Sequence, residues 1–393
     1  MRYNNYHKHD HVSNIFTPDT NTKQEDYILK ALEYGHTSYY TVNHGSFGDV
    51  FEARTLCNKY GLRCIAGIEG YIVPDASQKD KRNYHIIVIP KTDEARKKMN
   101  YVSSMANIKG FYYKPRFFLS DLLKLDSNDV YITTACVAGL LRDEDSINEI
   151  FMPLYKHFKE NVMLEVQTHD DPLQIEINKK AIYLSDQYGL SLIAANDSHY
   201  IDESGKEERL ELLRGKHINY GSEDDFILDY PTAETMIERF KKQGVLTDRQ
   251  ISDALNNTLL FDECEEIQLD YSIKMPTIYP NLTPEQRVGL LKKEVNKRFK
   301  EIRKEEHIEG EEFKKYKDGI RYEMKIIEDT NDEIHTADYF LFNEKNVDLA
   351  VNKYGGVLTR GGRGSCGSFY INRILGMTQL DRFKINLPLF PDR

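Results

Sequence analysis

SYYTVNHGSFGDVFEARTLCNKYGLRCIAGIEG, residues 38–70, is the stretch on which the fold class turns. It opens on a β-rich run, SYYTV (38–42), passes through a segment of helical spacing over about 47–60 that stops at Gly61, and closes on the apolar run CIAGI (64–68). Strand, helix, strand at this spacing is the signature of a βαβ unit. Upstream, QEDYILKALEYG (24–35) carries helical spacing and its own glycine stop. Downstream come the short apolar runs HIIVI (85–89), VYITTA (130–135) and MLEV (163–166), a helix from about 173 to 188 closed by Gly189, and SLIAA (191–195). The pattern predicts an α/β protein with a parallel sheet or barrel.

After Tyr200 the texture changes. Residues 202–229 are acidic and polar, 232–266 read as helices, and Pro276, Pro280 and Pro284 punctuate a domain boundary. A charged helical region follows over 284–328, and within it RVGLLKKEVNKRFKEIRK (287–304) holds eight basic and two acidic side chains. Such a run is a solvated helix face unless its neighbours make it a phosphate-contact surface. With 393 residues the chain has room for two or three domains. Its 40% apolar and 30% charged residues describe a soluble globular protein, and its formal charge of −10 excludes a uniformly basic nucleic-acid coat, though not a local basic groove. No signal-peptide core or membrane-length apolar run is evident, and five cysteines without a CxxC pair make no disulfide framework. These features place the protein in a reducing cytoplasm.

The chemistry lies in where His, Asp, Glu and Cys fall relative to the strands. His7 and His9 occupy alternate positions of an extended stretch and point one way. Asp19 follows in a loop, His44 lies two residues beyond SYYTV, and Glu69 closes CIAGI. His85 opens HIIVI, Cys136 ends VYITTA, and Asp197 and His199 follow SLIAA. In a parallel barrel the C-terminal strand ends share one face, where active sites are built. Imidazole, carboxylate and thiolate donors gathered there suit Zn²⁺, Mn²⁺ or Fe²⁺. A lone His-x-His is more often incidental than a metal site; the coincidence of several donors at successive strand ends is what carries weight.

YHKHDHVS, TVNHG, GIEGYIV, YHIIVIP, TTACVAG and AANDSHY resemble, in order, the motifs of the PHP (polymerase and histidinol phosphatase) domain. FYYKPRFFLSDLL (111–123), LEVQTHDDPLQIEINKKAI (164–182) and ANDSHYIDES (196–204) resemble the PHP domain of C-family bacterial replicative polymerases, the DNA polymerase III alpha family. HTADYFLF (335–342) and the segment 355–393 are similar to the start of that family's palm. The resemblance implies a PHP-type distorted (β/α)7 barrel with a core over 1–204 and a helical extension over 205–270, then an incomplete nucleotidyltransferase-like palm over 271–393. It implies nine ligands around three divalent ions: His7, His9, Asp19, His44, Glu69, His85, Cys136, Asp197 and His199. Asp19 stands further from His9 than the commonest family spacing, with Asp10 as the alternative. Asp19, His44, Cys136, Asp197 and His199 are the implied catalytic group of a 3′–5′ exonuclease used in proofreading.

RGGRGSCGS (360–368) follows VLT, a short apolar strand by pattern, and precedes FYINRILG, a helix by pattern. Glycine-rich backbone at a helix start can turn successive N–H groups toward an anion, and arginines add forked donors. The resemblance makes this the triphosphate site of an incoming deoxynucleotide, through Arg360, Gly361, Gly362, Arg363, Gly364, Ser365, Gly367 and Ser368. The carboxylates that hold Mg²⁺ in the family's palm lie beyond the segment matched by LPLFPDR, so the resemblance implies the N-terminal part of a bacterial or phage polymerase, engineered or naturally divided, with DNA and a second polypeptide as partners. Two other classes stand beside this reading. One is a non-catalytic assembly platform for another polymerase chain; the other is a free-standing PHP phosphatase, against which the glycine-rich turn argues.

Overall fold

The computed structural model describes residues 3–16, 18–221, 226–359 and 364–385. The chain divides into two compact units, residues 1–269 and 270–393.

The first unit is built on one eight-stranded sheet: β1 (Ser38–His44), β2 (Arg63–Val73), β3 (Tyr84–Pro90), β4 (Phe111–Tyr112), β5 (Lys114–Phe118), β6 (Val130–Thr133), β7 (Val162–Gln167) and β8 (Leu192–Ala195). The order is β4-β5-β2-β3-β6-β7-β8, with β1 also paired to β2. β2 runs on past CIAGI to Val73 because its second half has partners of its own, β3 and β5. β1/β2, β2/β5, β6/β7 and β7/β8 are parallel, as the alternation predicts. β3 departs from that expectation, running antiparallel to both β2 and β6. The reversal brings the first residues of β3, not its last, to the rim where the other strands end.

Burial follows the apolar runs. Ile65 and Ile68 of β2, Ile86, Ile87, Val88 and Ile89 of β3, and Ile193 of β8 keep none of their surface exposed, each worth roughly 1.5–3 kcal/mol in transfer free energy. Helix ends obey local chemistry. Asp171 accepts from the amides of Leu173 and Gln174 to start the helix Pro172–Tyr188, and Gly189 ends it in the left-handed conformation at φ 69°. The N-terminal stretch lies between the first and last strands. His9 N donates to Ser198 O (2.7 Å) and Ser198 N to His7 O (3.1 Å), just beyond β8, while Asp10 N donates to Asn43 Oδ1 of β1 (3.0 Å).

The second unit is helical. Thr283 and Gln286 form a capping box at the start of Pro284–Glu305, followed by Gly310–Ile334 and Thr336–Asp348. Leu291, Val295 and Phe299 of the first pack with Tyr316, Ile320, Met324 and Ile327 of the second in one buried cluster. Among the described residues of this unit there is no strand. The VLT run at 357–359 is therefore not the expected strand; Val357 is 95% exposed, and no strand among the described residues of this unit lies beside the run. The expected helix after the glycine-rich turn is present but short, Tyr370–Ile374, behind a 3-10 turn over Gly364–Ser368.

Candidate metal centre

Three backbone devices bring the donors together. His44 ends β1 directly opposite Glu69 of β2 in the parallel register. Glu69 thus sits inside β2 rather than closing it, with its side chain wholly buried. His85 reaches the same rim because β3 is reversed. After β6 the chain turns sharply: Gly139 N donates to Cys136 O (2.8 Å) and Leu140 N to Thr134 O (2.9 Å). A Cβ on Gly139 would lie 2.0 Å from Thr134 O, so only glycine fits this turn, and Ala135 beside Cys136 takes φ 56°. Asp197 likewise adopts φ 50°, a conformation costly for a non-glycine residue and concentrated at functional sites.

All nine sequence-nominated donors fall in one connected cluster. Glu69 is its hub: Oε1 lies 2.8 Å from His85 Nδ1, 3.4 Å from His7 Nε2 and 4.0 Å from Cys136 Sγ, and Oε2 lies 2.6 Å from His44 Nδ1 and 3.2 Å from His9 Nε2. Asp197 Oδ1 faces His7 Nε2 at 3.2 Å and His9 Nε2 at 3.1 Å. Asp19 Oδ2 lies 3.0 Å from His199 Nε2 and 3.9 Å from His44 Nε2. Asp10 is elsewhere, capping a 3-10 turn through Val12 N and accepting from Asn43 Nδ2. Burial opposes ionisation of Glu69, yet the charges of His85, His44 and His9 hold it well below the usual carboxylate range; Asp197 is held low in the same way by His7 and His199.

The residues fit divalent cations. His7 Nε2, His9 Nε2, His44 Nδ1, Glu69 Oε2 and Asp197 Oδ1 are buried and face one another at 2.6–3.2 Å, in directions that make none of these contacts a hydrogen bond. Each such atom would cost roughly 1–3 kcal/mol if nothing satisfied it. Three overlapping triads have ligand atoms mutually within 4.8 Å: His7–His9–Glu69, His9–His44–His199 and His44–Glu69–His85. The outward-facing nitrogens are engaged. His7 Nδ1 bonds Glu165 Oε1 (2.8 Å), and His9 Nδ1 bonds Ser13 Oγ (3.0 Å), whose hydroxyl donates onward to Asn43 Oδ1. Partners of this kind orient ligating imidazoles and leave Nε2 free for a cation.

Glu165, Ser13 and Arg209 were not singled out from sequence. Glu165 carried a signal, a carboxylate inside the apolar run MLEV. It accepts from Tyr6 Oη, Thr133 Oγ1 and Gln167 Nε2 as well as contacting His7. Arg209 carried none, being one cation in an acidic helix. It is buried there, with Nη2 2.5 Å from Asp19 Oδ1 and Nε donating to Asp19 O at 3.0 Å.

The cluster opens into a cleft of about 350 Å³. Lys114 and Arg209 give it positive charge, Tyr71, Asn83 and Gln167 polar walls, and Phe226 and Leu228 an apolar side. Burial lowers the pKa of the Lys114 ammonium.

The nucleotide-site nominations fare differently. Arg360, Gly361, Gly362 and Arg363 lie outside the described residues. Ser365 is exposed, while Gly367 and Ser368 are buried, Ser368 Oγ donating to Ser365 O (2.8 Å). The amides of Tyr370 and Ile371, expected to favour an anion at the helix start, instead donate to Glu323 Oε1 (3.0 Å) and Oε2 (2.9 Å). That helix end already has its carboxylate.

Residues 6–169 match the family profile described as the PHP domain, and residues 289–390 match that of the bacterial DNA polymerase III alpha NTPase domain. Asp197, His199 and Arg209 lie beyond the first match. DNA polymerase III subunit alpha of Aquifex aeolicus is 25% identical over 393 aligned residues, covering 92% of this chain and 32% of the relative. That of Borreliella burgdorferi is 26% identical, covering 98% of this chain and 33% of the relative. The chain thus spans about a third of the length of these curated relatives. A solved structure of a candidate metal-dependent phosphoesterase from Bifidobacterium adolescentis overlays 59% of this chain and 94% of its own at 12% identity, with a TM-score of 0.35, too low to weigh. Among the described residues no helix is long and apolar enough to cross a membrane.

Proposed function

We propose that the first unit is a metal-dependent phosphoesterase that removes nucleotides from the 3′ end of DNA, a reading supported by the similarity of residues 6–169 to the PHP domain and of 289–390 to the DNA polymerase III alpha NTPase domain. The carrying observation is the set of five buried, unbonded nitrogen and oxygen atoms facing one another at the centre of nine donor side chains. His7, His9, Asp19, His44, Glu69, His85, Cys136, Asp197 and His199 would hold up to three ions of the zinc, manganese or iron type. Such ions draw charge from a phosphate oxygen and lower the pKa of a bound water.

The chain's own groups do the rest. Glu165 and Ser13 keep His7 and His9 in the tautomers that present Nε2 inward. Lys114 places a point charge in the cleft for a phosphodiester oxygen. Phe226 and Leu228 narrow the solvent around it, which strengthens every charge interaction inside. The second unit, in this reading, belongs to nucleotidyl transfer, with the turn of Arg360, Arg363 and Ser365 meeting a deoxynucleoside triphosphate and its Mg²⁺. That part rests on the family match and the chemistry of the turn, and titration of the Arg363→Ala chain with a deoxynucleotide, read against wild type, tests it.

The test of the exonuclease is a labelled primer incubated with the full chain and Mn²⁺. Shortening from the 3′ end is expected, with loss on chelation and in Asp197→Asn, while circular dichroism stays native. Undiminished shortening by a preparation shown metal-free by mass spectrometry would overturn the reading.

A further inference from the structure

The basic run at 287–304 resolves into three groups once folded. Arg287 is buried against Asp338 (Nε–Oδ2 2.8 Å), and Arg298 is tied to Glu294 (2.7 Å) and to Glu344. Lys293, Lys297 and Lys304 are exposed. Lys292, Lys300 and Arg303, exposed as well, line a groove of about 460 Å³ shared with the helix Gly310–Ile334, which contributes Lys317, Arg321 and Lys325. Six cations thus face one groove in a chain whose formal charge is −10. The single carboxylate lining it, Glu328, is paired with Lys292. Among the described residues Lys300, Lys317 and Lys325 are in no ion pair.

Two features select the ligand. The floor is already covered: Val295, Phe299, Ile320 and Met324 keep 1%, 9%, 7% and 6% of their surface. Half-buried Phe313 also lines the groove, but the Arg303 guanidinium lies over its ring at 3.9 Å. A docking amphipathic helix would therefore find no open apolar floor to bury, and the groups that reach outward from the groove are the cations. That charge is also distributed. Lys317, Arg321 and Lys325 recur every fourth residue, about 6 Å apart along the helix, opposite a second row on the neighbouring helix. A compact anion would engage two or three of these cations, whereas an extended polyanion engages them all.

We propose that this groove binds the backbone of a nucleic-acid strand through its phosphates, without regard to sequence. The site uses residues of the second unit alone and is independent of the metal centre.

The probe is a closed circular single-stranded DNA, which has no 3′ end, added to the full chain in EDTA so that the metal centre contributes nothing. Wild type should bind with a strong salt dependence. The triple variant Lys300→Glu, Arg321→Glu, Lys325→Glu should bind at least tenfold more weakly, and three lost phosphate contacts should flatten the slope of log affinity against log salt by about 2. The control triple Lys293→Glu, Lys297→Glu, Lys304→Glu changes charge equally on the exposed face of the same helix and should cost less than threefold. Should charge reversal unfold the hairpin, glutamine at the same three groove positions should still flatten the slope. Equal loss in both triples, no binding by wild type, or displacement of the DNA by poly-L-glutamate as readily per charge as by DNA would each overturn the proposal, the last by making an acidic protein segment the better ligand. None of these outcomes bears on 3′-end hydrolysis, which is read separately with metal and a linear primer.

Discussion

Glu69 keeps none of its side chain in solvent, whereas Arg321 of the helical hairpin keeps 69% of its own exposed. The two mark opposite uses of charge within one chain. At the candidate metal centre, donors from many separated segments are withdrawn from water and crowded until several have no hydrogen-bond partner. In the groove, cations from only two adjacent helices stay hydrated on flexible stems. Burying charge demands a compensating ion and repays it with a fixed geometry, as bond-making requires. Keeping charge exposed costs little folding energy and yields a surface whose grip is tuned by salt. A site for chemistry and a site for holding a polymer are expected to differ in this way.

The contrast can be broken by substitution. The largest effect belongs at the centre: Asp197→Asn or His9→Ala should weaken metal binding by more than about 100-fold, beyond the 10–100-fold typical of outer partners, as read by metal titration and mass spectrometry. Arg209→Met should come next, because Asp19 would be left buried without its cation. The metal-free protein should lose about 3–5 kcal/mol of stability, and less when saturated with metal, as measured by denaturant melts in both states. Glu165→Gln should weaken metal binding about 10–100-fold by releasing His7 from its tautomer. In the second unit, Arg287→Met removes a buried partner of Asp338 and should destabilise that unit, whereas Lys297→Ala on the exposed face should stay within about 0.5 kcal/mol in the same melt. If Lys297→Ala proved as costly as Arg287→Met, the division between buried and solvated charge in this helix would be wrong.

Much of the first unit was legible because its signals are local. Apolar runs of strand length, glycine stops at 61 and 189, and donors at run ends each declare themselves within a few residues. The reversal of β3 was not, since HIIVI reads the same in either direction and only its neighbours choose. Asp19 was favoured over Asp10 from the sequence, but the contacts that hold it in the cluster were invisible along the chain, since Arg209 and His199 each lie about 180 residues or more away. Arg209 itself had no sequence signal, because burial turned one cation of an acidic helix into a clamp. The occupation of the Tyr370 and Ile371 amides by Glu323 was equally hidden, nearly 50 residues separating the partners.

The sequence by itself determined which side chains were available for metal chemistry and roughly where each strand and helix would form, since periodicity, caps and turn residues act over a handful of positions. Only the tertiary structure decided which charges are neutralised, which are clamped and which are left to face solvent. In the single run 287–304 it sent Arg287 into a buried pair, Arg298 into a carboxylate bridge and Lys300 into an open groove. The reason is that a charge's free energy depends on the water and the counter-charges around it, and those are supplied by residues distant in the chain.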